Sequence, residues 1–369
     1  IGWKTRHLRF RNCWSDMKLT LAHDISLPTG ALGMAIVPDG SRAYAGCADG
    51  LLYDVESATG KWRVFEPRHP SSATGCVLLP CGGVVISGGY DGALLWHEVS
   101  TGRCLRRVQA HRFWSWQLAL SPDGRRLATV TGQYLPGGWK YEPAAELEPS
   151  VKVFDTETGE LLRTFGQTPP VLSCAFSPDG EYLAAANLMG EVRVWQLAGG
   201  AEPISQWASQ DFTSFGTIKT HHYCGGIYGL AFAPDGQSLV GCGMGPMADP
   251  MAGNGRMTWQ RWDWRTGKLL SQIRDGQHGA GLMESVCWRR DGGVFVMAGR
   301  QAQGTWNAAL FSGLDGELQA SIDTRNRITQ ARFSESGGVL LLAEAQGQPK
   351  RKDGEWPAWG RLQSWVVGD

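Results

Sequence analysis

A short turn that recurs seven times limits the folds open to this chain. Its clearest copies read Pro-Asp-Gly, in which proline fixes φ, aspartate caps the turn and glycine accepts a positive φ. The seven turns end at Gly40, Gly82, Gly124, Gly180, Gly236, Gly292 and Gly337. Successive glycines are thus roughly 40 to 60 residues apart, and such spacing predicts an internal repeat.

Each turn joins two short apolar runs, and two further runs complete the repeat. In the fourth repeat the first three runs are Leu172–Phe176, Tyr182–Ala186 and Val192–Trp195. A Thr-Gly turn then leads to a fourth run, as in Leu161–Phe165 of the third repeat. Short runs bounded by turn residues predict β-strands. The sequence therefore predicts an all-β, seven-bladed β-propeller of four-stranded antiparallel blades.

The third run of each repeat ends in an aromatic residue followed by aspartate, or in a degenerate version of that pair. The pairs are Tyr53-Asp54, Trp96-His97, Phe154-Asp155, Trp195-Gln196, Trp262-Asp263, Phe311-Ser312 and Trp365-Val366. With the turns, this pattern resembles the WD-repeat family over nearly the whole chain. The regular Pro-Asp-Gly turns resemble those of bacterial members, in which propellers are often fused to kinase, ATPase or protease modules.

The second repeat also carries residues that resemble the family's buried polar tetrad. His69 lies thirteen positions before Gly82, and Ser87, Asp91 and Trp96 follow that glycine by five, nine and fourteen positions. The resemblance implies a hydrogen-bonded chain that fixes the blade. We therefore interpret this set as structural and not as a catalytic dyad. The third repeat keeps His111 and Thr129 but loses the aspartate to an insertion.

The last repeat lacks a fourth run, which indicates how the ring closes. Its third run lies near Leu362–Val366, and the segment Met17–Ile25 resembles a fourth strand. We predict that these two segments pair and so remove free sheet edges. We divide the chain into residues 1–16, an N-terminal arm or extra strand, and residues 17–369, a single seven-bladed propeller. The chain begins at Ile1 without an initiator Met, which favours trimming or excision from a longer polypeptide.

Functional residues are expected where the repeats differ, because the repeated strands are scaffold. Long insertions follow the second strands of repeats 3, 5, 6 and 7, and another joins repeats 4 and 5. All five emerge at one face of a propeller, and they are rich in the residue types that anchor interfaces. We predict a partner-binding surface formed by Phe113, Trp114, Tyr134, Trp139, Tyr141, His221, His222, Tyr223, Met247, Met251, Trp306, Trp356 and Trp359. The alternative is that these side chains pack the loops together and fill the channel mouth.

Catalytic signatures are weak in this sequence. Gly241–Gly245 is glycine-rich but lacks the setting of a dinucleotide site. His221 and His222 could hold a metal with Asp211 or His278, and Lys350–Lys352 could dock an acidic partner. We predict no cofactor, no metal and no catalytic residue. The leading hypothesis is a non-catalytic scaffold or sensor that binds a protein or peptide. The alternative is a propeller enzyme or small-ligand binder, lactonase-like or metal-dependent, for which Glu284 is a polar candidate at the channel.

Composition adds further expectations about partners and location. Lys plus Arg and Asp plus Glu are both 35, which argues against a nucleic-acid partner. No apolar run approaches the roughly 18 residues of a membrane span. Cys76, Cys174 and Cys287 occupy equivalent positions, which favours small core residues over disulfides. We expect a cytoplasmic, reducing location, and a chain that is monomeric or part of a larger protein or complex.

Overall fold

A computed structural model describes residues 17–133, 145–215, 223–249, 254–346 and 357–368. Within these ranges the fold is all-β, with five four-stranded antiparallel sheets and one eight-stranded sheet. A 3-10 turn, Gln210–Phe212, is the helical segment of the described residues. The strands are β1 (Lys18–Leu27), β2 (Ala31–Ile36), β3 (Arg42–Cys47), β4 (Leu52–Glu56), β5 (Trp62–Phe65), β6 (Ala73–Leu78), β7 (Val84–Gly89), β8 (Ala93–Glu98), β9 (Cys104–Gln109), β10 (Ser115–Leu120), β11 (Arg126–Thr131), β12 (Val151–Asp155), β13 (Leu161–Phe165), β14 (Val171–Phe176), β15 (Tyr182–Asn187), β16 (Glu191–Gln196), β17 (Ser205–Ala208), β18 (Thr213–Phe215), β19 (Tyr223–Phe232), β20 (Leu239–Asp249), β21 (Asn254–Asp263), β22 (Lys268–Trp288), β23 (Val294–Gly304), β24 (Ala308–Ser312), β25 (Leu318–Ile322), β26 (Arg327–Phe333), β27 (Val339–Ala345) and β28 (Gly360–Gly368).

The recurring turns join the first and second strand of every repeat, as the sequence predicts. In repeat 1 the amide of Gly40 donates to the carbonyl of Val37 at 2.9 Å, and Asp39 accepts from the amide of Ser41 at 2.9 Å. Gly40 has a φ of +75°, and the weaker copies at Gly82, Gly292 and Gly337 have φ values of +70° to +75°. Because a Cβ disfavours this conformation, glycine fixes the turn at these positions.

The first strands form the inner ring of the molecule. They pack side by side in the order β2, β6, β10, β14, β19, β22 and β26, and β26 packs against β2. Side chains from all seven repeats line the space that they surround. We call this space the channel. The end at which the first strands begin, and where the insertions emerge, is the loop-bearing end; the opposite end, with the recurring turns, is the turn-bearing end.

Neighbouring first strands are joined by polar side chains or by close glycine contacts. Thr74 donates to the carbonyl of Ser115 at 2.7 Å, and Thr329 donates to that of Ala31 at 2.8 Å. Gln117, Ser173 and Ser285 make similar bonds between other neighbouring strands, and Gln330 adds a second bond between β26 and β2. Between repeats 1 and 2 the strands approach so closely that a Cβ on Gly33 would lie 2.5 Å from the Cα of Gly75. These bonds satisfy groups that would otherwise be buried without partners.

The ring closes through the first and last described strands. β1 pairs antiparallel with β28, from Lys18 opposite Gly368 to Leu27 opposite Gly360. β28 also pairs with β27, so β1 completes the sheet of repeat 7. The predicted closure is confirmed, with longer strands than the sequence pattern indicated. Residues 1–16, expected to form an arm or extra strand, lie outside the described residues.

The third strands of repeats 1 and 2 require a correction of register. In repeat 3, Phe154 pairs with the residue three after the turn glycine, and the equivalent positions in repeats 4 to 7 also hold aromatic residues. In repeats 1 and 2 that position is held by Val55 and His97. The sequence prediction placed the aromatic position of the third strand at Tyr53 in repeat 1 and at Trp96 in repeat 2. The structure places it two residues later in repeat 1, at Val55, and one residue later in repeat 2, at His97. The nearest aromatic residue was a poor guide to register, because the position itself had lost its aromatic side chain.

The insertions of repeats 5 and 6 are partly strand and not only loop. β20 and β21 extend beyond the ordinary strand length, and β22 runs through 21 residues from repeat 5 into repeat 6. The extension pairs Gly255 with Gly281, and Ala280 with Gln303 of β23. These pairings join repeats 5 and 6 into the eight-stranded sheet at the loop-bearing end.

Two of the three cysteines predicted to be equivalent, Cys76 and Cys174, are small core residues, as expected. Cys287 lies one position nearer its turn glycine and lines the channel, which corrects its predicted equivalence. Cys47, Cys76, Cys174 and Cys242 are buried free thiols, and Cys287 is a partly buried one. Burial raises the pKa of both Cys76 and Cys174 to about 12, so these thiols stay protonated near neutral pH. A protonated thiol in apolar surroundings packs like a small hydrophobic group.

Candidate functional site

One residue in each first strand is left out of the sheet and faces the channel. The pairing with the second strand skips a residue eight positions before every turn glycine, which makes a β-bulge. The skipped residues are Leu32, Thr74, Trp116, Leu172, Tyr228, Glu284 and Thr329. All seven line a cavity of about 80 Å³ toward the loop-bearing end. The fold thus presents one variable side chain per repeat to the channel mouth.

Three aromatic side chains cluster at this mouth. The ring of Tyr90 lies 5.6 Å from the rings of both Trp114 and Trp116, measured between centroids, and the two indoles are 6.3 Å apart. Trp114 keeps 47% of its surface exposed. Tyr90 lies deeper, and its burial raises the pKa of its hydroxyl. The cluster is a packed aromatic platform with one solvent-facing indole, and tilted ring pairs of this kind are mutually stabilising.

A charged pair lies beside the aromatic platform. Arg327 binds Glu284 with two parallel bonds, Nε to Oε1 at 2.6 Å and Nη2 to Oε2 at 2.8 Å. The Glu284 carboxylate raises the pKa of Arg327, and the hydroxyls of Tyr90 and Tyr228 act in the same direction. The Arg327 side chain is 43% exposed whereas that of Glu284 is 10% exposed. The guanidinium is therefore the more accessible partner, and both residues line the same cavity.

The tetrad residues of repeat 2 are arranged only in part as the resemblance implies. His69 shares hydrogen bonds with Asp91 at 2.8 Å (Nδ1 to Oδ1) and with Ser87 at 3.0 Å (Nε2 to Oγ). Trp96 does not join this chain, because its indole donates to the carbonyl of Thr156 in repeat 3 at 2.7 Å. Trp96 was therefore wrongly predicted to belong to the tetrad. The aromatic position of the third strand in repeat 2 is held by His97, one residue later. Trp96 instead ties repeat 2 to repeat 3.

Few of the residues predicted to bind a partner have described side chains, and these few differ in exposure. Trp114 is exposed, Phe113 is partly exposed, and Trp359 packs at Gly30, where a Cβ would lie 2.7 Å from its ring. Trp306 is only 1% exposed and packs against Phe311 at 6.1 Å. Trp306 is therefore corrected from a surface residue to a core residue, since its insertion folds back onto repeat 6.

The other predicted residues contribute no described side chain. Met247 lies in β20 and Tyr223 lies in β19, where the structure describes the backbone alone. The remaining ones lie outside the described residues: Tyr134, Trp139, Tyr141, His221, His222, Met251 and Trp356.

The mouth also contains residues that the sequence reasoning missed. Tyr90, Trp116, Tyr228 and Arg327 lie there beside Glu284, which was named as a polar candidate. Counting eight positions back from each turn glycine would have found Trp116 and Tyr228. Arg327, the first residue of β26, lies ten positions before its turn glycine, as Trp114 does in repeat 3, whereas Tyr90 directly follows β7.

The weaker chemical hypotheses gain little support from the described residues. Gly241–Gly245 lies inside β20, and a Cβ on Gly241 would lie 2.8 Å from the ring of Trp262. Asp211 accepts a hydrogen bond from Gln260 at 2.7 Å, whereas the side chain of His278 and residues Lys350–Lys352 lie outside the described part. The described residues contain no group of three or more metal-ligating side chains. Within the same ranges, no helix has the length and apolar character needed to span a bilayer.

Comparison with known proteins agrees with this geometry. Residues 159–196, from the end of the third repeat through the third strand of the fourth, match the model of the WD domain, G-beta repeat. The chain is also 28% identical to WD repeat-containing protein SL1-17 of Schistosoma mansoni over 173 residues, which are 46% of this chain and 52% of that protein. The chain is a WD-repeat β-propeller.

The propeller resembles parts of larger proteins as well. It is 25% identical to telomerase protein component 1 of Rattus norvegicus over 362 residues, which are 94% of the propeller chain but 11% of that protein. It is 27% identical to eukaryotic translation initiation factor 3 subunit I of Bombyx mori over 185 residues, half of each chain. The propeller therefore spans about half or less of the length of these relatives. They are eukaryotic, so the bacterial origin expected from the turns stays a prediction.

Proposed function

We propose that residues 17–369 form one seven-bladed propeller that binds a protein or peptide at its loop-bearing end and catalyses no reaction. The five four-stranded sheets, with the eight-stranded sheet counted as two blades, support the blade count. The closed order of the first strands supports a single domain.

The observation that carries this proposal is the aromatic platform at the channel mouth. Trp114 exposes nearly half of its surface beside Tyr90 and Trp116, and these two rings line the same cavity as Arg327. Exposed Trp, Tyr and Arg side chains that converge on one concavity are the usual anchors of protein interfaces. The insertions emerge around this mouth, so a bound peptide would contact them as well.

The names of two relatives favour a protein partner. One is named as a component of telomerase and the other as a subunit of a translation initiation factor. A role within an assembly is thus proposed for this propeller too, without a nucleic-acid or membrane partner of its own. The buried free thiols support a reducing, cytoplasmic location.

A non-catalytic role is supported by how two ionisable side chains are used. Both carboxylate oxygens of Glu284 accept bonds from Arg327, and both ring nitrogens of the buried His69 are hydrogen-bonded within repeat 2. Each side chain is thus held in a structural contact, whereas a general base must reach the proton that it abstracts. A propeller that binds a small ligand is the second candidate, and a wide cavity at the turn-bearing end favours it.

The test compares two tryptophans of equal exposure. Trp114 is 47% exposed at the mouth and Trp62 is 45% exposed on the outer strand β5. We expect Trp114→Ala to weaken binding of a captured partner at least tenfold, because an interface anchor contributes about 2 kcal/mol or more. Trp62→Ala should bind like the wild type. Affinity capture from cells would identify partners, and calorimetry with each purified partner would give the dissociation constants. Partners that bind Trp114→Ala and the wild type equally would contradict the proposed site.

A further inference from the structure

The two ends of the channel differ in width because different positions of the repeat line them. Toward the turn-bearing end, the residue five positions before each turn glycine faces the channel, and six of the seven are small. These are Ala35, Val77, Ala119, Ala175, Ala231 and Cys287. The cavity there reaches about 460 Å³, compared with about 80 Å³ at the aromatic mouth. A volume of several hundred Å³ is typical of pockets that enclose a small organic molecule.

Most of the side chains that line this wide cavity are apolar. Met34, Leu118 and Trp288 are among its lining residues, which come from all seven repeats. Its polar side chains are already bonded: Gln117 accepts from the amide of Cys174 at 2.8 Å, and Ser285 accepts from that of Ala331 at 3.0 Å. An apolar molecule could therefore fill the cavity without leaving these groups unpaired.

The seventh residue at the lining position is Arg332. Its side chain is partly buried, and its one hydrogen bond in the described part of the chain goes from Nη1 to the carbonyl of Ala331 at 3.0 Å. No carboxylate of the described residues lies within ion-pair distance of it. Arg327, at the opposite end, is paired with Glu284. A guanidinium in apolar surroundings is destabilising unless an anion compensates its charge.

We propose that the turn-bearing end of the channel binds a small amphiphilic carboxylate, with its apolar body in the cavity and its carboxylate on the guanidinium of Arg332. The planar fork of arginine matches a carboxylate with two parallel bonds. A single arginine without further free donors suits a monoanion better than a phosphate, which needs more donors. This site lies at the end of the channel away from Trp114. An experiment can therefore contradict this proposal without contradicting the proposed partner site.

The test titrates sodium decanoate into the full chain by isothermal calorimetry. We expect saturable binding to the wild type that weakens at least tenfold in Arg332→Met, because methionine keeps the apolar stem and removes the charge. Arg332→Met should fold normally and unfold at the same or a higher temperature, since it removes an unpaired charge. Arg290→Met is the matched control, because Arg290 lies on the same face, beside Glu335, and is 71% exposed. It should bind decanoate like the wild type.

Two further probes separate the contributions of charge and shape. Decanamide has the same tail without the charge and should bind at least tenfold more weakly than decanoate. Ala231→Leu narrows the cavity while Arg332 stays, and it should weaken decanoate binding too. The proposal is overturned if the folded wild type does not bind decanoate, or if Arg332→Met or decanamide makes no difference. It is also overturned if a short peptide with a C-terminal phenylalanine carboxylate binds through Arg332 whereas decanoate does not, which would identify the cavity as a site for a protein terminus.

Discussion

Repeats 2 and 3 carry a histidine at the same position of the repeat, ahead of the first strand, yet its surroundings differ. His69 and His111 are each 1% exposed. His69 is hydrogen-bonded through both ring nitrogens, to Asp91 and Ser87. Neither ring nitrogen of His111 has a hydrogen-bond partner among the described residues, and its nearest carboxylate, Glu148, is 4.0 Å away.

The insertion of repeat 3 explains this difference. The position of Asp91 is held there by Gln133, whose side-chain oxygen accepts from the amide of Leu147 at 2.7 Å and so anchors the returning insertion. Glu148 comes from the same insertion and is bound by Lys152 at 2.7 Å. One histidine is thus part of a polar network, whereas the other is a buried neutral ring. A histidine at this position is thus part of a hydrogen-bond network only where its partners, here Asp91 and Ser87, are also present.

The largest expected effect compares leucine at the two histidine positions. His69→Leu leaves Asp91 and Ser87 buried without their partner, and we expect the free energy of unfolding to fall by about 3 kcal/mol. His111→Leu removes two unpaired ring nitrogens and should change that free energy by less than about 1 kcal/mol. Urea unfolding of both variants measures the difference. If both variants lost the same free energy of unfolding, the hydrogen bonds of His69 would add no stability beyond that of a packed side chain.

A second test sharpens the comparison at the end of the second strand. A Cβ on Gly89 would lie 2.7 Å from both Asp91 Oδ1 and His69 Nδ1. Gly89→Ala should therefore displace the network and lower the free energy of unfolding by about 2 kcal/mol. Repeat 3 already has a Cβ at this position, on Thr131, so Thr131→Ala is the control and should have a smaller effect. Chemical denaturation checks both, and a tolerated Gly89→Ala would show that the network can move aside.

The smallest expected effect is a difference in pH dependence. Burial lowers the pKa of His111 to about 3, below its unfolded value of about 6.5. The unfolded chain therefore binds this proton first as the pH falls, and stability is lost progressively between pH 6.5 and pH 3. We expect the wild type to lose about 1 kcal/mol more than His111→Leu between pH 7 and pH 5.5. Parallel stability curves for the two proteins would contradict the neutral-ring interpretation.

The sequence predicts the repeat better than it predicts the places where the repeats differ. The turn glycines locate the first and second strands, because a positive φ at Gly40 and its equivalents has a local cause. The register of the third strand depends on pairing with the second, and the aromatic signal failed at Val55 and His97. The extension of β22 depends on strands of two repeats, which no local pattern shows.

Exposure at the candidate site was equally hard to predict. Trp114 and Trp306 both lie in segments between strands, yet one is exposed and the other buried. Whether an insertion folds inward depends on the space beside it, which the sequence does not encode locally. The residues that line the channel are more predictable, because a fixed count from the turn glycine locates both Trp116 and Arg332.

The pairing of β1 with β28 has a consequence for the order of folding. These strands pair Lys18 with Gly368, which are far apart along the chain, so β1 cannot pair until β28 has been synthesised. Contacts of such long range form late, because the entropy of a large loop must be overcome before they contribute. The earlier sheets can assemble in order as the chain emerges, but the ring becomes cooperative only when this final pairing forms. Mechanical or thermal unfolding of the ring would then begin where β1 pairs with β28.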